Sequence, residues 1–132
     1  LTSNGTDAVW QSPAVGLAQV NQFTRTQSVT PNVLTYAATI AVDASLSNNM
    51  RIVLTGNAQL GAPSNPAPGQ VMNFIVKQDA TGSRLLTYAA AYKWPNAEPP
   101  TLSTAANSVD VISCIYDSTD GVWLCNINKA FG

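Results

Sequence analysis

The stretch that most constrains the fold is Val71–Lys77, VMNFIVK. Its apolar residues alternate: Met72, Phe74 and Val76 share one face, and Val71, Asn73, Ile75 and Lys77 share the other. A strand sends successive side chains to opposite faces, so this period of two argues for a strand and against an amphipathic helix. The Met72–Phe74–Val76 face is the candidate core. Asp79–Ser83 then reads as a tight polar turn in which Gly82 supplies a positive φ. Arg84–Tyr88 returns with Leu86 and Tyr88 on one side, and Lys93-Trp94-Pro95 makes a corner. The expectation over 71–95 is a β-hairpin.

The same period recurs along the chain. Leu34–Tyr36 reads as a short strand, Thr39–Asp43 pairs Ile40 with Val42, and Met50–Thr55 pairs Met50, Ile52 and Leu54. Residues 61–69, GAPSNPAPG, hold three prolines and two glycines and read as a loop, as do residues 96–100. Val109–Tyr116 and Gly121–Asn128 read as a final hairpin. Ile112, Cys114 and Tyr116 share one of its faces with Trp123, Cys125 and Ile127; Val111, Ile115, Val122 and Leu124 occupy the other. Strands apolar on both faces lie centrally in a stack or set their second face against a neighbouring subunit. Short strands with turn signals between them, and no convincing helix, predict an all-β fold: an antiparallel β-sandwich or jelly-roll-like knob over residues 23–132. Residues 1–22 carry no sustained period and read as an extended N-terminal arm or stem connector, with Trp10 as the large apolar side chain. Leu1 is not a natural start, so the chain reads as a piece of a longer one.

Composition narrows the chemistry. The 132 residues include no histidine, a single glutamate (Glu98) and six scattered aspartates. The commonest general base and metal ligand is therefore absent, and neither a cofactor nor a metal site is expected. Asp79, Asp117 and Asp120 flank turns, where aspartate bonds its own backbone, and this explains them without catalysis. Ser and Thr are plentiful, but nothing in the sequence activates one as a nucleophile. The expectation is a non-enzyme. Charged residues make up 10% and the net charge is −1, against roughly 25% charged residues in a typical domain. No basic patch stands ready for nucleic acid. No apolar run approaches the roughly 20 residues that span a bilayer as a helix.

Cys114 and Cys125 face one another if the last hairpin closes on Asp117 and Val122, which leaves a cross-strand disulfide open. The preferred reading is two buried free thiols, suited to assembly in a reducing cytoplasm. Among the aromatic residues, Tyr92 and Trp94 at a strand end read as the better exposed, and with Lys93 they form a candidate surface contact for a sugar. Loops 61–69 and 96–100 are candidate companions.

Several stretches, in order, resemble a domain at the C-termini of bacteriophage tail-fibre, receptor-binding and head-fibre or decoration proteins. They are ATIAVD at 38–43, SLSNN and MRIVLTGN at 45–57, the Pro-rich loop to Gly69, KQDATGSR at 77–84, Lys93-Trp94-Pro95, PTLSTAANSVD at 100–110 and the terminal hairpin. The resemblance implies a homotrimeric knob on a virion, partnered by other virion proteins and serving host-surface attachment through a glycan or other receptor. A capsid decoration protein that stabilises the shell is the alternative, and a tailspike-like carbohydrate-active enzyme a weaker one. In the trimer, Trp10, Phe23, Ile115 and Leu124 are the expected subunit contacts.

Overall fold

The computed structural model describes residues 2–3, 8–9 and 23–132. Two short strands, β1 (Thr2–Ser3) and β2 (Ala8–Val9), pair antiparallel. Trp10 and most of the expected arm lie outside the described residues.

The remaining strands form two sheets. The chain enters the larger sheet at β3 (Asn32–Val33), crosses to the smaller at β4 (Thr39–Ile40), and returns at β5 (Asn49–Leu54). It crosses again at β6 (Ala58–Leu60), returns at β7 (Val71–Gln78), and crosses a third time at β8 (Leu86–Tyr88). Within each sheet these strands lie in sequence order and run parallel: β3-β5-β7 in one, β4-β6-β8 in the other. The result is a coil of three rungs. Parallel neighbours need a crossover, usually a helix; here a strand of the opposite sheet provides it. The turns stack as well. Asp43 bridges Ser64, and the Gln59 amide donates to the Ala38 carbonyl.

After β8 the chain adds β9 (Tyr92–Lys93), a 3-10 turn at Pro95–Ala97, and the hairpin of β10 (Val109–Asp117) and β11 (Val122–Phe131). β10 runs antiparallel to both β7 and β11, while β9 joins the far side of β11 in parallel. The larger sheet thus reads β3-β5-β7-β10-β11-β9.

This corrects two expectations. The two-sheet, all-β reading stands, but the sheets are mixed and parallel instead of an antiparallel jelly roll. And the stretch 71–95 is not a hairpin. Both edges of β7 are taken, by β5 and β10, and β8 belongs to the other sheet. The connection between β7 and β8 explains why. Gln78 is buried, 2% exposed; its amide Nε2 donates to the carbonyls of Arg84 and Ser103, and its Oε1 accepts from the Arg84 amide. Asp79 Oδ1 accepts from the Thr81 and Gly82 amides, and its carboxylate pairs with Arg84 at 2.7 Å. Together they turn the chain out of one layer and into the next. Gly82 has φ +74°, and a Cβ there would lie 2.6 Å from the Thr104 carbonyl oxygen and 2.7 Å from the Ala106 nitrogen. Only glycine fits both the backbone and the space.

The core between the sheets is the one the alternation predicts. Met72, Phe74 and Val76 from β7, Met50, Ile52 and Leu54 from β5, and Ile112 from β10 meet Ile40, Leu60 and Leu86 from the smaller sheet. Trp123 and the Cys114–Cys125 pair complete it. The two cysteines are bonded to each other, and this corrects the free-thiol reading. The hairpin closes on Asp117 and Val122, so Cys114 stands directly across from Cys125 with the Cα atoms 4.1 Å apart. That is close to the spacing of a non-hydrogen-bonded pair, about 4.5 Å, in which facing side chains come nearest. Cross-strand register, and not the redox state of a compartment, is what brings the two sulfurs together.

Candidate functional site

The inward face of the larger sheet is committed to the core, so its outward face is what remains to meet a partner. Reading across the registered strands, that face falls into rows. One row runs Val71, Ile115, Leu124 and Lys93 across β7, β10, β11 and β9. The next runs Asn49, Asn73, Ser113 and Asn126. A third runs Val33, Arg51, Ile75, Val111 and Asn128.

The apolar row is open to solvent: Val71, Ile115 and Leu124 are each about half exposed, at 51%, 47% and 48%. Contiguous apolar side chains of this size on a sheet face mark a contact surface more often than single exposed ones do. The polar row is internally bonded. The Ser113 hydroxyl donates to Asn73 Oδ1 at 2.8 Å, and Asn73 Nδ2 donates to Asn49 Oδ1 at 3.2 Å. Such a ladder can sit in an interface with much of its hydrogen bonding already satisfied. Arg51, Lys77 and Lys93 occupy outward positions, with Asp117 as the acid among them.

Ile115 and Leu124, both expected at a subunit contact, are therefore cross-strand partners on one exposed row. Phe23 is exposed, in irregular chain before β3. The Asn–Ser ladder went unread in the sequence. Its signal was a polar residue at an outward position on each of four strands: Asn73, Ser113 and Asn126 within β7, β10 and β11, and Asn49 at the start of β5.

The candidate contact at Tyr92–Trp94 is arranged differently from expectation. Only Lys93 is exposed. Tyr92 and Trp94 are 4% and 9% exposed. They flank Lys93 in sequence, and the alternation of β9 turns both inward. The Tyr92 hydroxyl donates to the Gly61 carbonyl at 2.8 Å, which ties the corner to the Pro-rich loop. Tyr88 packs against Trp94 with ring centroids 4.6 Å apart and planes tilted by 56°. Tyr88, Tyr92, Trp94, Lys93, Ala97 and Pro99 line a cleft of about 270 Å³, so the loop 96–100 and this corner do meet. Among the described residues, the hydroxyl of Tyr88 and the indole N–H of Trp94 are buried without a protein partner. Burial, reinforced by the negative charge of Asp110, pushes the Tyr88 hydroxyl well above the usual tyrosine range.

The carboxylates are held by structure. Asp117 Oδ1 accepts from the Thr119 amide at 2.9 Å and faces the Asp120 amide at 3.4 Å. The Arg84 guanidinium lowers the Asp79 carboxyl, with further help from the Gly82 and Thr81 amides. Buried Asp110 accepts from the amides of Ser103 and Ala130. Among the described residues, no three His, Cys, Asp or Glu side chains gather as metal ligands.

Comparison with known proteins gives one family. The family described as "Putative phage tail fibre C-terminal domain" matches residues 29–121, from just before β3 to the turn of the last hairpin. No curated protein and no solved structure matches the chain.

Proposed function

Since the chain belongs to the phage tail fibre C-terminal domain family and is thereby a virion component, we propose that it forms the trimeric terminal knob of a tail fibre and attaches it to the host surface. The observation that carries the assembly is the open row Val71–Ile115–Leu124 beside the Asn–Ser ladder. Packing this face around a threefold axis would bury the row and seat the ladder beside it. The threefold number comes from the family resemblance; the choice of face comes from exposure and register. A closed ring also limits the edge-to-edge pairing that free strands invite.

The role is structural and adhesive. The carboxylates that could have suggested glycoside hydrolysis are engaged in turns or bonded to backbone amides. Three copies of a weak surface contact give avidity that one copy lacks.

The test is adsorption of the fluorescently labelled chain to a panel of bacterial cells, run beside Ile115→Lys. Binding to some strains, with weaker retention by the variant as the trimer splits, is the expected result. No binding to any strain by a well-folded trimer would refute the attachment role.

A further inference from the structure

The turn 43–48, which leads into β5, and the Pro-rich loop 61–70, which leads into β7, face one another across an open groove of about 530 Å³. We propose that this groove binds a short stretch of neutral polysaccharide, a proposal that rests on the attachment reading above. Its walls are tied together. The Ala44 amide donates to the Ser64 carbonyl, and the Ser64 amide to the Val42 carbonyl. Gln70 clasps both walls: its Nε2 donates to the Ala44 carbonyl at 2.7 Å and to Asn48 Oδ1 at 3.0 Å, and its Oε1 accepts from the Ala67 amide at 3.0 Å. On a third side the Ser47 hydroxyl donates to the Thr30 carbonyl, which holds neighbouring Val29 against the groove.

The bonds that build the walls also decide what each lining side chain has left to offer. A backbone carbonyl faces Gln70 Nε2 and a backbone amide faces its Oε1, so Gln70 has one orientation and Asn48 must present it with an oxygen. Among the described residues, the Asn48 NH₂ is then left as a donor. Asp43 is the second anchor. Its Oδ1 accepts from Ser45 Oγ at 2.6 Å and from Asn65 Nδ2 at 3.1 Å. These bonds, with the Ser45 amide, hold the Asp43 carboxyl below its ordinary value, and a carboxylate only accepts. Asn65 Oδ1 and the Ser45 oxygen are therefore left as acceptors. Asn48, Asn65 and Ser45 are all exposed, and all three line the groove.

This inventory selects the ligand. One donor and two acceptors, each on a side chain held by its other end, suit sugar hydroxyls, which both donate and accept. Val29 and Leu46, 45% and 63% exposed, supply aliphatic surface for the C–H faces of the rings. Among the described residues no charged side chain lines the groove, which favours a neutral glycan over an acidic one. The volume lies within the roughly 300–1,000 Å³ of small-ligand sites and has room for a disaccharide unit. An extended peptide fits less well. Peptides that bind along the backbone add to a free strand edge, and both edges of β5 and of β7 are taken.

The experiment is nitrogen–proton correlation NMR of the full chain. It is titrated with maltose, lactose, cellobiose and N,N′-diacetylchitobiose, and with D-glucuronic acid and tetra-alanine for comparison. The expected result is a saturable shift of the Asn48 and Asn65 side-chain NH₂ signals with at least one neutral disaccharide, on the order of millimolar in affinity. The side-chain amide of Asn128, on the outward sheet face, should not move. Asn48→Ala, which removes the donor from an exposed position, should weaken binding about fivefold, the loss of one neutral hydrogen bond. Asn65 sits at φ 51°, which glycine adopts freely, so Asn65→Gly removes the acceptor without straining the loop and should weaken binding by a similar factor. Both variants should melt at the parent's temperature, which separates loss of the site from loss of the fold. No shift with any neutral disaccharide, in a chain that still adsorbs to cells, would overturn the groove and leave the attachment reading intact. Failure of a well-folded trimer to adsorb to any cell would instead sink the attachment reading. Shifts with the acid or the peptide alone, or equal shifts at Asn128, would also overturn the neutral-glycan site.

Discussion

Replacing Asp110 with alanine tests how the last strand is held. Asp110 is 2% exposed and no cation pairs with it among the described residues. Its Oδ2 accepts from the Ser103 amide at 2.7 Å and its Oδ1 from the Ala130 amide at 2.8 Å. These two bonds tie the loop before β10 and the end of β11 to one side chain. Ala130 sits at φ 61°, a conformation that costs a non-glycine residue energy unless its surroundings hold it. Hydrogen bonds to a charged group contribute about 1.5–3 kcal/mol each. Asp110→Ala removes two and strands both amides, so the expected loss is about 3–6 kcal/mol. That is a large share of the roughly 5–15 kcal/mol by which domains are stable. Asp110→Asn keeps one acceptor oxygen and turns an NH₂ toward the other amide; it should fall between. Urea denaturation followed by tryptophan fluorescence measures all three proteins. If Asp110→Ala lost less than about 1 kcal/mol, the carboxylate would not be what satisfies those amides, and the account of this end of the sheet would fail.

Further outcomes can be checked together. Removing the disulfide with Cys114→Ser and Cys125→Ser, an 11-residue separation, should cost about 3 kcal/mol in the chain-entropy account; the unreduced chain should take up no thiol reagent under denaturing conditions. Asp79 and Asp43 both have lowered carboxyl pKa values, Asp79 chiefly through Arg84 and Asp43 chiefly through Ser45. Folded values below the ordinary 3.8 mean that their stabilisation is present above 3.8 and fades as pH falls through the folded values. Asp79→Asn should therefore flatten the acid limb of a melting-temperature-versus-pH curve, and an unchanged limb would contradict that. Phe74→Ala, in the centre of the core, should destabilise by about 3–5 kcal/mol in the same urea assay.

The faces of the strands were legible because a period of two is a local property. Met72, Phe74 and Val76 needed only their own neighbours in sequence to be placed in the core, whereas the last hairpin is apolar on both faces and its inward side, with Ile112 and Cys114, required the structure. Which strand lies beside which is not local. The turn at 79–85 looks like a hairpin loop, yet Gln78 and the Asp79–Arg84 pair use it to send β8 to the other sheet. The parallel order also escaped reading, since the crossovers are themselves strands and carry the same alternation as the rungs. At the aromatic corner the needed signal was present. Tyr92 and Trp94 are two residues apart, so extended chain buries both or exposes both; position at a strand end does not by itself mean exposure. The open row was half visible: Ile115 and Leu124 stood out as apolar residues expected at a subunit contact, while the addition of Val71 and the Asn–Ser ladder required the register.

The central claim is that the outward sheet face closes a three-fold knob. Multi-angle light scattering of the chain at micromolar concentration measures it directly. The account predicts a mass three times the 13.9 kDa of one chain, reduced toward a single chain by Ile115→Lys. A stable 13.9 kDa species from the parent chain, or a trimer indifferent to that substitution, would contradict it.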